Sequence, residues 1–193
     1  LAWSALADLL TLTPQLRAAG AVLLPLAYTG GIHMDGFCDT CDALASHQDR
    51  ARKLEILKDS RVGAFAVLGC VSYLLLQYAL WCQPGWEKED LWVLALVPVL
   101  SRAMSGVAIT AFPLAKDTGL AHTFASAAHR GRARIILAAT VLLTGVLMWV
   151  LGTVPGAAMT AAAAVVMWHY SCTARAKFGG ITGDLAGWFM QRA

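Results

Sequence analysis

Gly30-Gly31-Ile32-His33-Met34-Asp35-Gly36-Phe37-Cys38-Asp39-Thr40-Cys41-Asp42 closes the first long apolar run of the chain and sets three carboxylates at its end. Charge beside an apolar segment of membrane type is costly and is usually kept for chemistry. If the segment is helical, at about 100° per residue, Asp39 falls roughly 40° from Asp35 and Asp42 roughly 20° to its other side. All three then share one narrow stripe. Unpaired carboxylates this close repel one another, and a divalent cation relieves the repulsion by taking their oxygens as ligands. The stretch predicts a magnesium site at a membrane boundary, with Asp35, Asp39 and Asp42 as metal ligands.

Composition points to the same setting. Hydrophobic residues make up 58% of the 193 and charged residues 14%, with a mean hydropathy of +0.60. A soluble domain is nearer about 45–50% apolar and about 25% charged. Apolar runs lie at 18–32, 62–82, 91–112, 135–151 and 156–171, and residues 1–10 read as the tail of another. Their lengths approach the roughly 20 residues that cross a bilayer. The expected fold is all-α: a polytopic helical membrane protein with about five or six spans. Residues 1–193 form one integral membrane domain, with no linker, repeat or low-complexity tract to divide it. The chain opens at Leu1 inside an apolar segment, so it is expected to be a piece of a longer protein. The net charge of +3, without a basic–aromatic surface pattern, excludes nucleic acid as a partner and leaves the lipid bilayer.

Basic residues are sorted by loop. Residues 43–61 hold Arg50, Arg52, Lys53, Lys58 and Arg61. Residues 83–90 hold a single Lys, beside Trp86 and the acids Glu87, Glu89 and Asp90. Residues 113–134 hold Lys116, Arg130, Arg132 and Arg134. A tight Gly-Thr-Val-Pro-Gly turn follows at 152–156, and the last segment carries Arg175, Lys177 and Arg192. This alternation matches the spans, and the positive-inside rule puts the basic loops, with the Asp cluster, in the cytoplasm.

Further candidates lie on that side. Asp49 to Lys58 reads as a short amphipathic helix with Leu54 and Leu57 on one face. Asp59 and Arg61 flank the next helix entry and pair a metal-type with a phosphate-type group. In Gly179-Gly180-Ile181-Thr182-Gly183-Asp184, glycines can bring backbone close to an anionic ligand, while Asp184 can add a metal ligand or hold a substrate hydroxyl. His33 projects about 200° from Asp35 on a regular helix, so a structural and a catalytic role both stay open, and a helix break at Gly30 and Gly31 would let it turn into the site. Arg102, deep in its apolar run, faces the bundle interior or a polar cavity, either paired structurally or touching substrate. Cys38-x-x-Cys41 lacks a second Cys/His pair at matching spacing, so packing beside the stripe explains it better than zinc.

These residues resemble a known family. The His33-x-Asp35-Gly36-x-x-Asp39-x-x-Asp42 run, Asp59-Ser60-Arg61-Val62-Gly63 and Gly180-Ile181-Thr182-Gly183-Asp184 look like cobalamin synthase, the adenosylcobinamide-GDP ribazoletransferase family, across about residues 18–192. Ala43 stands where the family generally has glycine, and Cys38 and Cys41 where small residues such as alanine are usual. The resemblance implies an integral membrane, magnesium-dependent enzyme of the bacterial or archaeal cytoplasmic membrane, its active site facing the cytoplasm. It would join adenosylcobinamide-GDP to α-ribazole or its 5′-phosphate and release GMP. On this reading His33, Asp59, Arg61 and Asp184 are the catalytic candidates. Gly36, Arg102, Gly180, Thr182 and Gly183 are the substrate-binding candidates.

Three other functions compete. A CDP-alcohol phosphotransferase would carry Ala-Arg after Asp-Gly-x-x, where Asp39-Thr40 stands here. A prenyltransferase would show two Asp-rich clusters, and one is evident. A cation transporter would place acids near the midplane of several spans, where only Arg102 lies.

Overall fold

The computed structural model describes residues 1–84, 88–115 and 130–193. Trp86, Glu87 and Lys116 therefore lie outside the described residues. α1 (Ala2–Leu9) leans on α2 (Pro14–Thr29), with the Trp3 indole N–H donating to the Arg17 carbonyl at 2.9 Å. Proline at the first helical position and the Thr13 hydroxyl as cap start α2. Gly30 and Gly31, at φ 62° and 75°, then stop it in a conformation that only glycine adopts without strain. The run 18–32 is thus broken, and the carboxylates lie on a separate helix, α3 (Ile32–Ala45).

α4 (Arg50–Ile56) is the short amphipathic helix expected, capped by the Asp49 carboxylate on the Arg52 N–H at 2.8 Å. α5 (Ala64–Trp81) and α6 (Lys88–Ala111) follow, and α7 (Arg130–Thr173) ends in a π-helical turn, Ala174–Phe178. α8 (Gly183–Arg192) closes the chain. Among the described residues three helices are long and apolar enough to cross a membrane: Ala64–Trp81, Asp90–Ala111 and Gly131–Phe178. The last is about twice as long as one crossing requires. It reverses at Thr153, whose φ of 47° and ψ of −124° are not helical. Gly156 then packs directly on the Met148 backbone, and the Thr160 hydroxyl reaches the Met148 sulfur at 3.9 Å. Two antiparallel arms result, as the Gly-Thr-Val-Pro-Gly turn predicts.

Burial separates the roles of these helices. In the apolar window of α6, 39% of residues are buried, against 6% in α5 and 11% in α7. α6 is the central helix, and α5 and α7 turn Leu75, Leu76, Leu142, Leu143 and Trp149 outward, as lipid-facing helices do. The core gathers around α8: Leu185 and Phe189 are fully buried, and the Phe189 ring stacks on Tyr170 at 5.0 Å between centroids. Tyr73 ties α5 to the chain end by donating to Gln191 Oε1 at 2.8 Å.

Candidate active site

α3 and α8 cross with their backbones in contact, and glycine on each helix permits it. A Cβ at Gly36 would stand 2.7 Å from the Asp184 carbonyl oxygen and 2.8 Å from its Cα. One at Gly187 would stand 2.9 Å from the His33 carbonyl oxygen. Asp184, in the first turn of α8, is thereby brought to the carboxylate stripe of α3. The electrostatics register this meeting. Asp39 is half-buried, and burial first, then Asp35, Asp184 and Asp42, push its carboxyl up to about 6. Asp35 stays exposed beside it.

The approach to α8 is fixed by backbone. Gly180 passes so close to the extended segment 113–115 that a Cβ would lie 2.6 Å from the Pro113 carbonyl oxygen. The Ile181 N–H donates to that carbonyl at 2.9 Å, and the Ala115 N–H donates to the Ile181 carbonyl at 2.9 Å. Thr182 is buried and its hydroxyl accepts from the Leu185 N–H at 3.2 Å, capping α8. Gly183 faces open space. Gly36, Gly180 and Thr182 thus each have a defined packing or capping role, and Gly183 is the one with room for a ligand.

Asp42 points along the same stripe but meets a different partner. Its Oδ2 accepts from the Gly63 N–H at 2.7 Å and its Oδ1 from the Ala66 N–H at 2.8 Å. A carboxylate at a helix start satisfies orphan amides and the positive end of the dipole. Asp42 therefore clamps α5 to α3. Asp59 and Arg61, just ahead of Gly63, pair with each other: Arg61 donates through Nη2 to Asp59 Oδ2 at 2.7 Å and through Nε to Oδ1 at 3.0 Å. Arg61 holds the Asp59 carboxyl down to about 2.

His33 and Arg102 lie together on the other side of α3, lining a cavity of about 530 Å³ with Tyr73, Gln77 and Gln191. Burial, then the Arg102 charge, lowers the His33 imidazole. The Arg102 guanidinium also donates to the Pro98 carbonyl at 3.4 Å. The break at Gly30-Gly31 falls before α3, so His33 stays on one regular helix with Asp35 and faces the compartment lined by Arg102 instead of turning to the carboxylates.

The cobalamin-5-phosphate synthase family matches residues 1–193. An adenosylcobinamide-GDP ribazoletransferase of Lachnoclostridium phytofermentans is 38% identical over 95% of this chain and 70% of its own length. Proteins of the same name from Clostridium perfringens and Desulfitobacterium hafniense are 34% and 36% identical, over 91% and 96% of this chain and 70% and 73% of theirs. The chain belongs to the cobalamin-5-phosphate synthase family. No solved structure matches it.

Membership makes the protein a transferase of cobalamin biosynthesis and sets aside the lipid phosphotransferase, prenyltransferase and transporter readings. In this family member the carboxylates offer oxygen donors only. Among the described residues no three His, Cys, Asp or Glu side chains form a finished metal cage. Magnesium does not need one, because it is commonly held by one or two carboxylates and completed by water and substrate phosphates. Burial raises Asp39 most, and the repulsion that Asp35, Asp184 and Asp42 add is what a cation would relieve, so the donor set fits magnesium. Cys38 offers no thiolate, since burial first and then Cys70 push its thiol up to about 12.

Gly187 escapes a reading of the sequence for chemistry, although its signal is present. That signal is a glycine inside a helical segment, which marks a close packing contact; Gly183, four residues earlier, faces open space and takes no part in the crossing.

Proposed function

We propose that the protein joins adenosylcobinamide-GDP to α-ribazole or α-ribazole 5′-phosphate and releases GMP, at the carboxylates gathered by the α3–α8 crossing. The observation that carries this reading is the meeting of Asp184 with Asp35 and Asp39 across Gly36, in a chain of this family. The site would face the cytoplasm, where nucleotides and magnesium are available, in keeping with the basic loops on its side.

A ribose hydroxyl would attack the phosphorus nearer cobinamide. One P–O bond forms to that oxygen, the P–O bond to the bridging oxygen breaks, and GMP leaves with the bridging oxygen. The hydroxyl proton passes to a carboxylate of the cluster or to water. Asp35, Asp39 and Asp184 would hold magnesium, with Asp42 behind them anchoring α5. When bound, the ion would neutralise the diphosphate and the charge growing on the leaving phosphate. Arg61, exposed and oriented by Asp59, would meet the departing nucleotide. Gly183 would give the substrate room at the start of α8.

Purified protein in lipid nanodiscs, given adenosylcobinamide-GDP and α-ribazole 5′-phosphate, should release one GMP per corrinoid formed, and only with magnesium present. Corrinoid product without GMP, or full turnover in excess chelator, would overturn the reading.

A further inference from the structure

Past the C-terminal end of α3, helix α4 and the π-helical turn enclose a cavity of about 430 Å³ lined by Leu44, His47, Asp49, Arg50, Lys53 and Lys177, among others. Its charge is one-sided. Lys53 is only 6% exposed, although an ammonium is among the costliest groups to bury without a counter-charge. Its Nζ donates to the Gln48 carbonyl, and among the described residues no carboxylate forms an ion pair with Arg50, Lys53 or Lys177. Asp49, the acid in the wall, already accepts from the Arg52 N–H as the cap of α4. Arg50 packs over Gly179 so closely that any Cβ there would collide with it, so the backbone of the turn sets its position. Arg50 and Lys177 are nonetheless exposed, and so open to a ligand. Three cations from two elements around one cavity suit a phosphate, whose several oxygens accept from Arg and Lys together.

The place of the cavity along the helices points to the source of that phosphate. Lys177 is the last residue but one of the apolar span Gly131–Phe178. Leu44 stands two residues beyond Asp42, about 3 Å further along α3. Asp42 in turn holds the N–H groups of Gly63 and Ala66, where the membrane-length helix α5 begins. Two membrane-length helices therefore end beside the cavity, and where such helices end the headgroup phosphates of a bilayer lie. A headgroup of net negative charge suits the walls better than a zwitterionic one, whose ammonium the three cations repel.

We infer that Arg50, Lys53 and Lys177 form a phosphodiester site for the headgroup of an anionic glycerophospholipid, which ties α4 to the π-helical turn when bound. The purified protein is placed in phosphatidylcholine nanodiscs in which phosphatidylglycerol is substituted stepwise, and thermal unfolding is followed. The wild type should gain about 3 °C or more as the anionic lipid saturates the site. Arg50→Gln and Lys177→Gln should each need about tenfold more phosphatidylglycerol for half of the gain, and Lys177→Arg no more than the wild type. Arg52→Gln is the control: it removes the same charge from the same helix, but at an exposed residue paired with Glu55 outside the cavity, and it should respond like the wild type.

Equal responses in the wild type and both cavity Gln variants would overturn the site. So would an equal weakening in Arg52→Gln, which would assign the effect to surface charge at large. A gain in pure phosphatidylcholine discs on adding inorganic phosphate or glycerol 3-phosphate, with none from phosphatidylglycerol, would give the cavity to a soluble phosphate and remove the lipid. A wild type indifferent to phosphatidylglycerol would remove the lipid too, whether or not the variants fold.

Discussion

Gly36 and Asp184 touch backbone to backbone: the space a Cβ at Gly36 would fill is 2.7 Å from the Asp184 carbonyl oxygen. The obstacle is main chain on a helix whose Leu185 and Phe189 are fully buried, so it cannot yield as a flexible side chain would. Gly36→Ala should force the helices apart, lowering stability by about 1–3 kcal/mol and drawing Asp184 away from Asp39. Thermal unfolding in detergent together with GMP release checks this. A variant that melts and turns over like the wild type would show that the crossing is looser than described.

The carboxylates of α3 should divide into two behaviours. Asp35→Asn and Asp39→Asn remove negative charge from a crowded cluster, so they should abolish most turnover while melting at or above the wild-type temperature. Asp42→Asn presents one acceptor where Gly63 and Ala66 need two, and should destabilise the protein by about 1–3 kcal/mol. Melting curves and magnesium-dependent turnover, measured side by side, separate the groups. If Asp42→Asn kept full stability and lost only turnover, Asp42 would be a ligand and not a clamp.

Much of this arrangement is legible in the amino-acid sequence. The runs 62–82 and 91–112 become Ala64–Trp81 and Asp90–Ala111, because a lipid-facing helix needs little beyond length and apolarity to declare itself. The stripe of Asp35, Asp39 and Asp42 follows from helical period alone. That period says which residues share a face, not which neighbour meets it, and so Asp42 turning to the start of α5 is invisible in sequence. Hydropathy likewise joins 18–32 into one run, since two glycines score as neutral while their backbone ends a helix. The basic loop is readable as charge, but its sorting into an exposed Arg52 and a buried Lys53 depends on how α4 lies against the π-helical turn.

Orientation is open to a direct measurement. α5 has the length of a single crossing, so Lys58 and Gln83 at its two ends should lie on opposite faces. In a variant without native cysteines, Lys58→Cys should be shielded from an impermeant thiol reagent added outside intact cells, and Gln83→Cys should react. The reverse labelling would move the carboxylates to the outer face, away from nucleotides.

Arg61 offers the last test, through its pairing with Asp59. The folded Asp59 carboxyl is depressed to about 2, so the pair is present above the ordinary carboxylate range and lost only as pH falls through that value. Between about pH 5 and 8 the guanidinium should therefore stay oriented, and no step in the activity profile should come from Asp59. If the guanidinium receives the departing nucleotide, Arg61→Lys keeps the charge but loses the two-pronged geometry on both partners. It should lower turnover of adenosylcobinamide-GDP about tenfold or more with either acceptor. Wild-type kinetics in Arg61→Lys would leave Arg61 as a surface pair with Asp59 and take it out of the reaction.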